Sequence, residues 1–243
     1  KRRMRAHLES FEVDVALSWM SRAARFCPCG VWTNAARLGG YYSLKYYQNC
    51  QAFVGNTEGI CDYLRKQGVP AEKVHYIPNF IDERPLPADD ATQFPATKGD
   101  AGSILMAAGR LHRNKGFDVL IEALSAVPSA TLWLAGEGPE RTHLAQLAQR
   151  LGVRGRVEFL GWQDDLRPYL QRADVFVCSS RIEPLGNVVL EAWRQGCPLV
   201  AARAAGPVEL ITDGRTGSLC DLEDAAGMAR AITQLLGSAT QRQ

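Results

Sequence analysis

From residue 103 onward the chain alternates two hydrophobic patterns. Short continuous apolar runs at 104–108, 131–135, 157–160, 175–178 and 199–201 predict strands. The stretches 117–126, 141–151, 166–172, 188–195, 207–211 and 225–236 read as helices, most of them with the apolar spacing of an amphipathic helix. Strands that are apolar on both faces and alternate with helices belong to a parallel sheet covered on both sides. The predicted class is α/β. Ligands of such sheets bind beyond the carboxyl ends of the strands. Gly109, Gly136, Gly161 and the 181–186 loop fall at those ends, so four loops are expected to meet at one crevice.

Residues 1–82 show the same alternation less completely. The runs 13–17, 31–33, 52–55 and 74–77 predict strands, and 57–67 predicts a helix capped by Thr57 and closed by Gly68. Residues 83–102 are rich in Pro, Ala and Asp (Pro85, Pro87, Asp89, Asp90, Pro95) and read as a linker. The expected division is a partial first domain at 1–82, a linker at 83–102 and a second domain at 103–243.

Composition narrows the class further. With 243 residues, 46% hydrophobic and 22% charged, the chain can fill one large or two modest cores. No apolar run approaches the roughly 20 residues of a membrane span, and no secretory leader is visible; the odd, scattered set of Cys fits reduced thiols, so a cytoplasmic location is expected. The seven Cys form no C-x-x-C pair, and Cys27-Pro28-Cys29 is too tight for common zinc spacing. Cys178 and Cys197 lie in apolar runs and read as core. The net charge of +2 hides an uneven spread: residues 1–47 carry eight Lys/Arg against three Asp/Glu. That basic segment, with Trp19, Trp32 and the pairs Tyr41-Tyr42 and Tyr46-Tyr47, fits either a solvated helix face or peripheral contact with an anionic inner-membrane surface. The weak overall charge argues against nucleic acid. Asp89-Asp90 and Asp164-Asp165 are adjacent pairs, 221–224 reads as a helix start, and His7, His75, His112 and His143 stand apart, so no metal site is expected.

The chemistry-bearing stretch is Glu183-Pro184-Leu185-Gly186-Asn187-Val188-Val189-Leu190-Glu191. Taken singly, each Glu reads as a helix-dipole partner or a solvated face. Together they frame a strand-to-helix loop, with the first carboxylate on the loop and the second more than one turn into the helix. The unpaired N–H groups of that helix start attract anions. A phosphate seat flanked by two hydroxyl acceptors suits a nucleotide-sugar.

Four motifs in order resemble the group 1 glycosyltransferases, the large retaining family 4 of the GT-B fold. Gly109-Arg110-Leu111-His112-Arg113-Asn114-Lys115-Gly116 is similar to the G-R-(x)4-K-G loop. Leu134-Ala135-Gly136-Glu137-Gly138-Pro139 is similar to the L-x-G-x-G-P turn, and Glu183 to Glu191 to the E-x7-E motif. Ile77-Pro78-Asn79-Phe80-Ile81-Asp82 is similar to the I-P-N-G-(V/I)-D hinge, with Phe80 in the Gly position. The resemblance implies two Rossmann-like domains, the first incomplete and the second nearly complete with a parallel sheet. It implies sugar transfer from a nucleoside-diphosphate sugar (UDP, GDP or ADP type) to a glycan or lipid-linked acceptor, with neither cofactor nor metal. Within the family, the stretch 38–47 and Ser18-Trp19-Met20-Ser21-Arg22 resemble enzymes of lipopolysaccharide or other bacterial surface-glycan assembly.

Carried over residue by residue, Arg110 and Lys115 would meet the diphosphate, Glu183 the sugar hydroxyls and Glu191 the ribose. Gly109, Gly136, Leu185, Gly186, Asn187 and Val188 would border the donor, and Trp162 the base. Arg22, Asn34, Tyr41 and Lys45 are the acceptor-side candidates. Where relatives carry a His in an x-H-G segment this chain reads Leu38-Gly39-Gly40, so no general base is named. Both ends look cut, and 1–243 alone is expected to bind a nucleoside diphosphate but transfer sugar poorly. The alternatives are a nucleotide-sugar binding module without catalysis, or an epimerase or phosphorylase of the same fold.

Overall fold

The structure is a computed structural model that describes residues 2–81, 94–95 and 102–238. It contains two compact units, Lys1–Phe80 and Ile81–Gln243. The first unit runs α1 (Arg2–Ser10), β1 (Val15–Trp19), α2 (Met20–Phe26), β2 (Thr33–Leu38), β3 (Ala52–Gly55), α3 (Glu58–Lys66) and β4 (Val74–Tyr76). Its strands form a parallel sheet in the order β1-β2-β3-β4. Ala36, Leu38, Phe53, Ile60, Cys61 and Leu64 make the core between this sheet and α3. Thr57 caps α3, its hydroxyl accepting from the Ile60 N–H at 3.1 Å.

Strand β2 differs from the expectation at 31–33. Val31 is fully exposed, and the strand occupies Thr33–Leu38. Its sequence, Thr-Asn-Ala-Ala-Arg-Leu, mixes small and polar residues, so no apolar run marks it. Asn34 makes it work. The side chain is fully buried; its Oδ1 accepts from Cys27 Sγ at 3.1 Å and Trp32 Nε1 at 2.9 Å, and its Nδ2 donates to the carbonyls of Pro28 and Asn49, each at 3.1 Å. A buried amide with its bonds filled pins the strand where apolar packing is thin. Strand β1 lies two residues later than expected, and α2 was not foreseen.

The second unit runs β5 (Ser103–Ala108), α4 (Phe117–Ser125), β6 (Ala130–Ala135), α5 (Arg141–Arg150), β7 (Val157–Gly161), α6 (Arg167–Arg172), β8 (Val175–Cys178), α7 (Asn187–Arg194), β9 (Leu199–Ala202), α8 (Ala205–Leu210), β10 (Ser218–Cys220) and α9 (Ala225–Gly237). All six strands are parallel, in the order β10-β9-β8-β5-β6-β7. Successive side chains point to opposite faces. Leu105, Ala107, Leu132, Leu134, Val175, Val177 and Val200 meet α4, α5 and α9 on one face. Met106, Ala108, Trp133, Phe176, Cys178, Leu199 and Ala201 meet α6 and α7 on the other. Burial on both faces is why these strands read as unbroken apolar runs.

Of the stretch read as a linker, only Phe94, Pro95 and Gly102 are among the described residues. Phe94 packs as part of the second unit, its ring 6.0 Å from that of Trp133 and 4.4 Å from the Arg172 guanidinium. Asp82, Asp89 and Asp90 lie outside the described residues. The chain runs from β5 outward to β7, then returns and builds β8 to β10 on the other side. The order therefore reverses between β5 and β8, and the loops after these two strands flank the crevice where doubly wound sheets hold ligands.

Candidate functional site

The loop after β5 begins at Gly109, whose N–H continues the ladder to the Ala135 carbonyl at 3.0 Å. A short turn at Arg113–Lys115 follows, with His112 Nδ1 accepting from the Asn114 N–H at 3.2 Å. Gly116 closes it at φ +62°, and a Cβ there would sit 2.1 Å from the Ser179 carbonyl oxygen. Only glycine lets the loop after β8 come this close.

Three consecutive carbonyls of the first loop are taken by the second. Arg113 O accepts from the Arg181 guanidinium at 2.8 Å, Asn114 O from the Arg181 and Ile182 N–H groups at 2.8 and 3.2 Å, and Lys115 O from the Ser179 hydroxyl at 2.9 Å. The side chains at the ends of this zipper then meet. Lys115 Nζ lies 2.5 Å from Glu183 Oε2, with both side chains largely shielded from solvent. Ser180 Oγ donates to the same oxygen at 3.2 Å. The opposite charges and the shared Ser180 donor make this a charge-assisted bond between the two loops.

Arg181, absent from the sequence candidates, is the pin of this assembly. Its Nη1 and Nη2 donate to the two oxygens of Asp118 at 2.7 and 2.8 Å. Nε donates to Glu223 Oε1, and Nη2 also to Glu223 Oε2 at 2.8 Å. With the Arg113 carbonyl, all five guanidinium N–H donors are filled. These hydrogen bonds raise the Arg181 pKa. Burial alone would push the Asp118 carboxyl up, but the bonds and charge of Arg181 outweigh it and leave it below its ordinary value. The signal in the sequence was weak, because the partners lie 63 and 42 positions away.

Gly186 caps α7 at φ +91°, a left-handed conformation that suits glycine. It turns the chain so that the first N–H groups of α7, from Asn187 and Val188, begin just past Glu183. Leu185 is buried behind them. Glu191 sits in the second turn, half-buried. Burial pushes its carboxyl up, and the charge of Asp165 in the β7–α6 loop adds to this. That loop also carries Trp162, exposed, with its indole N–H on Asp164 Oδ1 at 2.9 Å. Gly136 starts the loop after β6 and donates its N–H to the Gly161 carbonyl at 2.7 Å. Arg110 is exposed and makes no ion pair among the described residues.

The structure thus joins Lys115 to Glu183 directly and brings Glu191 near the Trp162 loop. Arg110 and Gly109 lie on the strand-end loop that carries Lys115. The acceptor-side candidates stand separately in the first unit. Arg22 is exposed on α2. Asn34 is buried with its amide spent on the β2 network, which accounts for it without an acceptor. Tyr41 lies edge-on to Tyr63 at 5.5 Å, and the Lys45 ammonium lies 5.0 Å from the Tyr46 ring.

Comparison with known proteins gives concordant matches. The family model described as glycosyl transferases group 1 matches residues 102–238. The lipopolysaccharide core biosynthesis glycosyltransferase LpsE of Rhizobium meliloti (strain 1021) is 43% identical over 94% of this chain and 67% of its own length. LpsD of the same organism is 40% identical over 97% of this chain and 68% of its own length. Among solved structures, HepE of Anabaena in complex with UDP superposes with a TM-score of 0.82 over 98% of this chain and 73% of its own. At 22% identity this is a likeness of fold.

Proposed function

The chain belongs to the group 1 glycosyl transferases, with their α/β GT-B fold; from that premise we propose that it moves a sugar from a nucleoside-diphosphate donor onto a bacterial surface glycan, holding the diphosphate between the loops after β5 and β8. The Lys115–Glu183 pair, 2.5 Å apart at the strand-order reversal, carries this reading. An ammonium has three donors. One meets Glu183, and two remain for phosphate oxygens. Arg110 adds a planar fork from the same loop, and the N–H groups of Asn187 and Val188 add a helix start. Glu183, steadied by Ser180, accepts from the donor sugar's hydroxyls. Glu191 accepts from the ribose, and Trp162 lies beside the base.

As the sugar C1–O bond to phosphate breaks, charge grows on the diphosphate. Arg110, Lys115 and the α7 N–H groups stabilise it where a low-dielectric site makes such contacts strong. In a retaining transfer the acceptor oxygen bonds C1 on the face the phosphate leaves, and the departing phosphate oxygen takes the acceptor's proton. Those two cations supply the charge a divalent ion would otherwise bring, so transfer is expected to persist in a chelator.

Both Rhizobium relatives are named for lipopolysaccharide core biosynthesis, which supports a glycan or lipid-linked acceptor of that kind. HepE carries UDP, which makes UDP the first nucleotide to test, ahead of GDP and ADP. Among the described residues no helix is long and apolar enough to cross a membrane. Helix α1, with Arg2, Arg3 and Arg5 and no buried residue, suits peripheral contact with an anionic inner-membrane surface in the cytoplasm.

The test is turnover of UDP-, GDP- and ADP-sugars with a lipopolysaccharide-core acceptor. Lys115→Ala and Glu183→Gln should each lower kcat by about 10²–10³, as loss of a charge-stabilising donor does elsewhere. Nucleotide binding without sugar release or transfer would leave a binding module instead. Unchanged turnover in both variants would remove the site from the reaction.

A further inference from the structure

Within the first unit a different set of residues concentrates unbalanced positive charge. From Val15 to Thr57 the sequence holds Arg22, Arg25, Arg37 and Lys45 and no Asp or Glu. That stretch supplies the carboxyl ends of β1, β2 and β3; Glu58 follows at the start of α3, and Ile77, Pro78 and Asn79 after β4 add no acid. The carboxyl ends of a parallel sheet are where it takes ligands.

Arg37 stands at the centre of this rim. Its register partners are Trp19 on β1 and Val54 on β3. Its guanidinium lies 5.2 Å from the centroid of the Trp19 ring, and its Nη2 donates to Asn79 Oδ1 at 2.6 Å. Among the described residues no carboxylate pairs with this half-buried cation. That leaves most of its donors for a ligand, in contrast to the saturated Arg181. Asn79 Oδ1 also accepts from Asn56 Nδ2 at 3.5 Å. An incoming anion can therefore draw Arg37 away while Asn79 keeps a partner. Asn56 is buried, and its Oδ1 has no hydrogen-bond partner among the described residues. A buried acceptor calls for a donor, so at this corner Asn56 Oδ1 suits a sugar hydroxyl and not the oxyanion itself. Trp19 is 63% exposed, and Met20 just after it is held at φ +66°. A non-glycine residue in that region marks a conformation imposed by its surroundings.

We propose that this rim is an anion-binding acceptor subsite: the Arg37 fork takes the carboxylate or phosphate of a negatively charged sugar, and the Trp19 ring lies against the sugar's face. The proposal rests on the reading of the chain as a glycosyltransferase whose acceptor meets the first unit. A planar guanidinium matches both oxyanions in bidentate fashion, and an exposed aromatic ring offers a flat apolar surface with little entropy to lose.

Saturation-transfer NMR on the whole chain with glucose, glucuronate and glucose 6-phosphate tests it. The two charged sugars should bind about tenfold more tightly than glucose, a difference typical of one charge-assisted contact. Arg37→Gln should erase that preference and leave glucose unchanged. Arg37→Lys, which keeps the charge without the fork, should retain part of it. Trp19→Ala should weaken all three sugars alike. The stronger of the two charged sugars tells carboxylate from phosphate. Equal binding of charged and neutral sugars, no binding of either charged sugar, or a preference that survives Arg37→Gln would overturn the proposal. UDP titration separates it from the donor-site reading. UDP affinity should be unaffected by Arg37→Gln and reduced by Lys115→Ala, and failure there counts against the donor site alone.

Discussion

At the scale of single residues, the site is tuned by what surrounds each group. Glu191 carries the clearest consequence. Its carboxyl is raised, first by burial and then by Asp165. A raised acid binds its proton more tightly in the folded state. The stability it contributes is thus fully present below the ordinary glutamate range and is lost as pH rises through the raised value. Glu191→Gln should therefore increase the melting temperature more at pH 7 than at pH 4. An ionised Glu191 is the stronger acceptor for the proposed ribose hydroxyls, so UDP affinity in the native chain should climb as pH rises through the raised value. Titrations across pH check this, and Glu191→Gln should bind UDP more weakly with that inflection gone. Gly116 gives a second outcome. A methyl group there meets the Ser179 carbonyl at 2.1 Å on a left-handed backbone. Gly116→Ala should cost about 2–3 kcal/mol in denaturant unfolding, the scale of backbone strain in a fixed loop.

At the scale of elements, the proposed donor seat is a pair of strand-end loops that Arg181 fastens together. Removing its guanidinium leaves Asp118 and Glu223 facing each other without a cation, which should destabilise the second unit by about 2 kcal/mol. The larger effect should be on Lys115 and Glu183, whose loops it joins. In a double-mutant cycle, Arg181→Gln and Lys115→Ala should be non-additive in kcat. Additive losses would mean that Arg181 only supports the fold. The second unit's strands were legible because both faces are buried, which writes an unbroken apolar run into each of β5, β6 and β8. The Glu183–Glu191 frame was legible because strand, turn and helix follow one another in the sequence. Strand β2 was not, since Asn34 holds it through a polar network drawn from 27–51. Arg181 was not, because a clamp is defined by partners far along the chain. Strand β10, only Ser218–Cys220, was too short to stand out.

For the whole molecule, the residues proposed to hold the donor all belong to Ile81–Gln243, a compact unit with a core on each face of its sheet. That unit alone should fold cooperatively and bind UDP within a few-fold of the whole chain's affinity. Loss of binding in a folded Ile81–Gln243 would assign part of the nucleotide site to the first unit. Sugar transfer needs the acceptor held as well as the donor, since orientation supplies much of the rate. The most direct measurement is calorimetric titration of the whole chain with UDP, GDP and ADP, repeated on Lys115→Ala and Arg110→Ala. One nucleotide should bind with one-to-one stoichiometry, and each variant should weaken it at least about tenfold, the loss of one charge-assisted phosphate contact. Binding of none of the three, or an affinity indifferent to both substitutions, would contradict a diphosphate seat between the β5 and β8 loops.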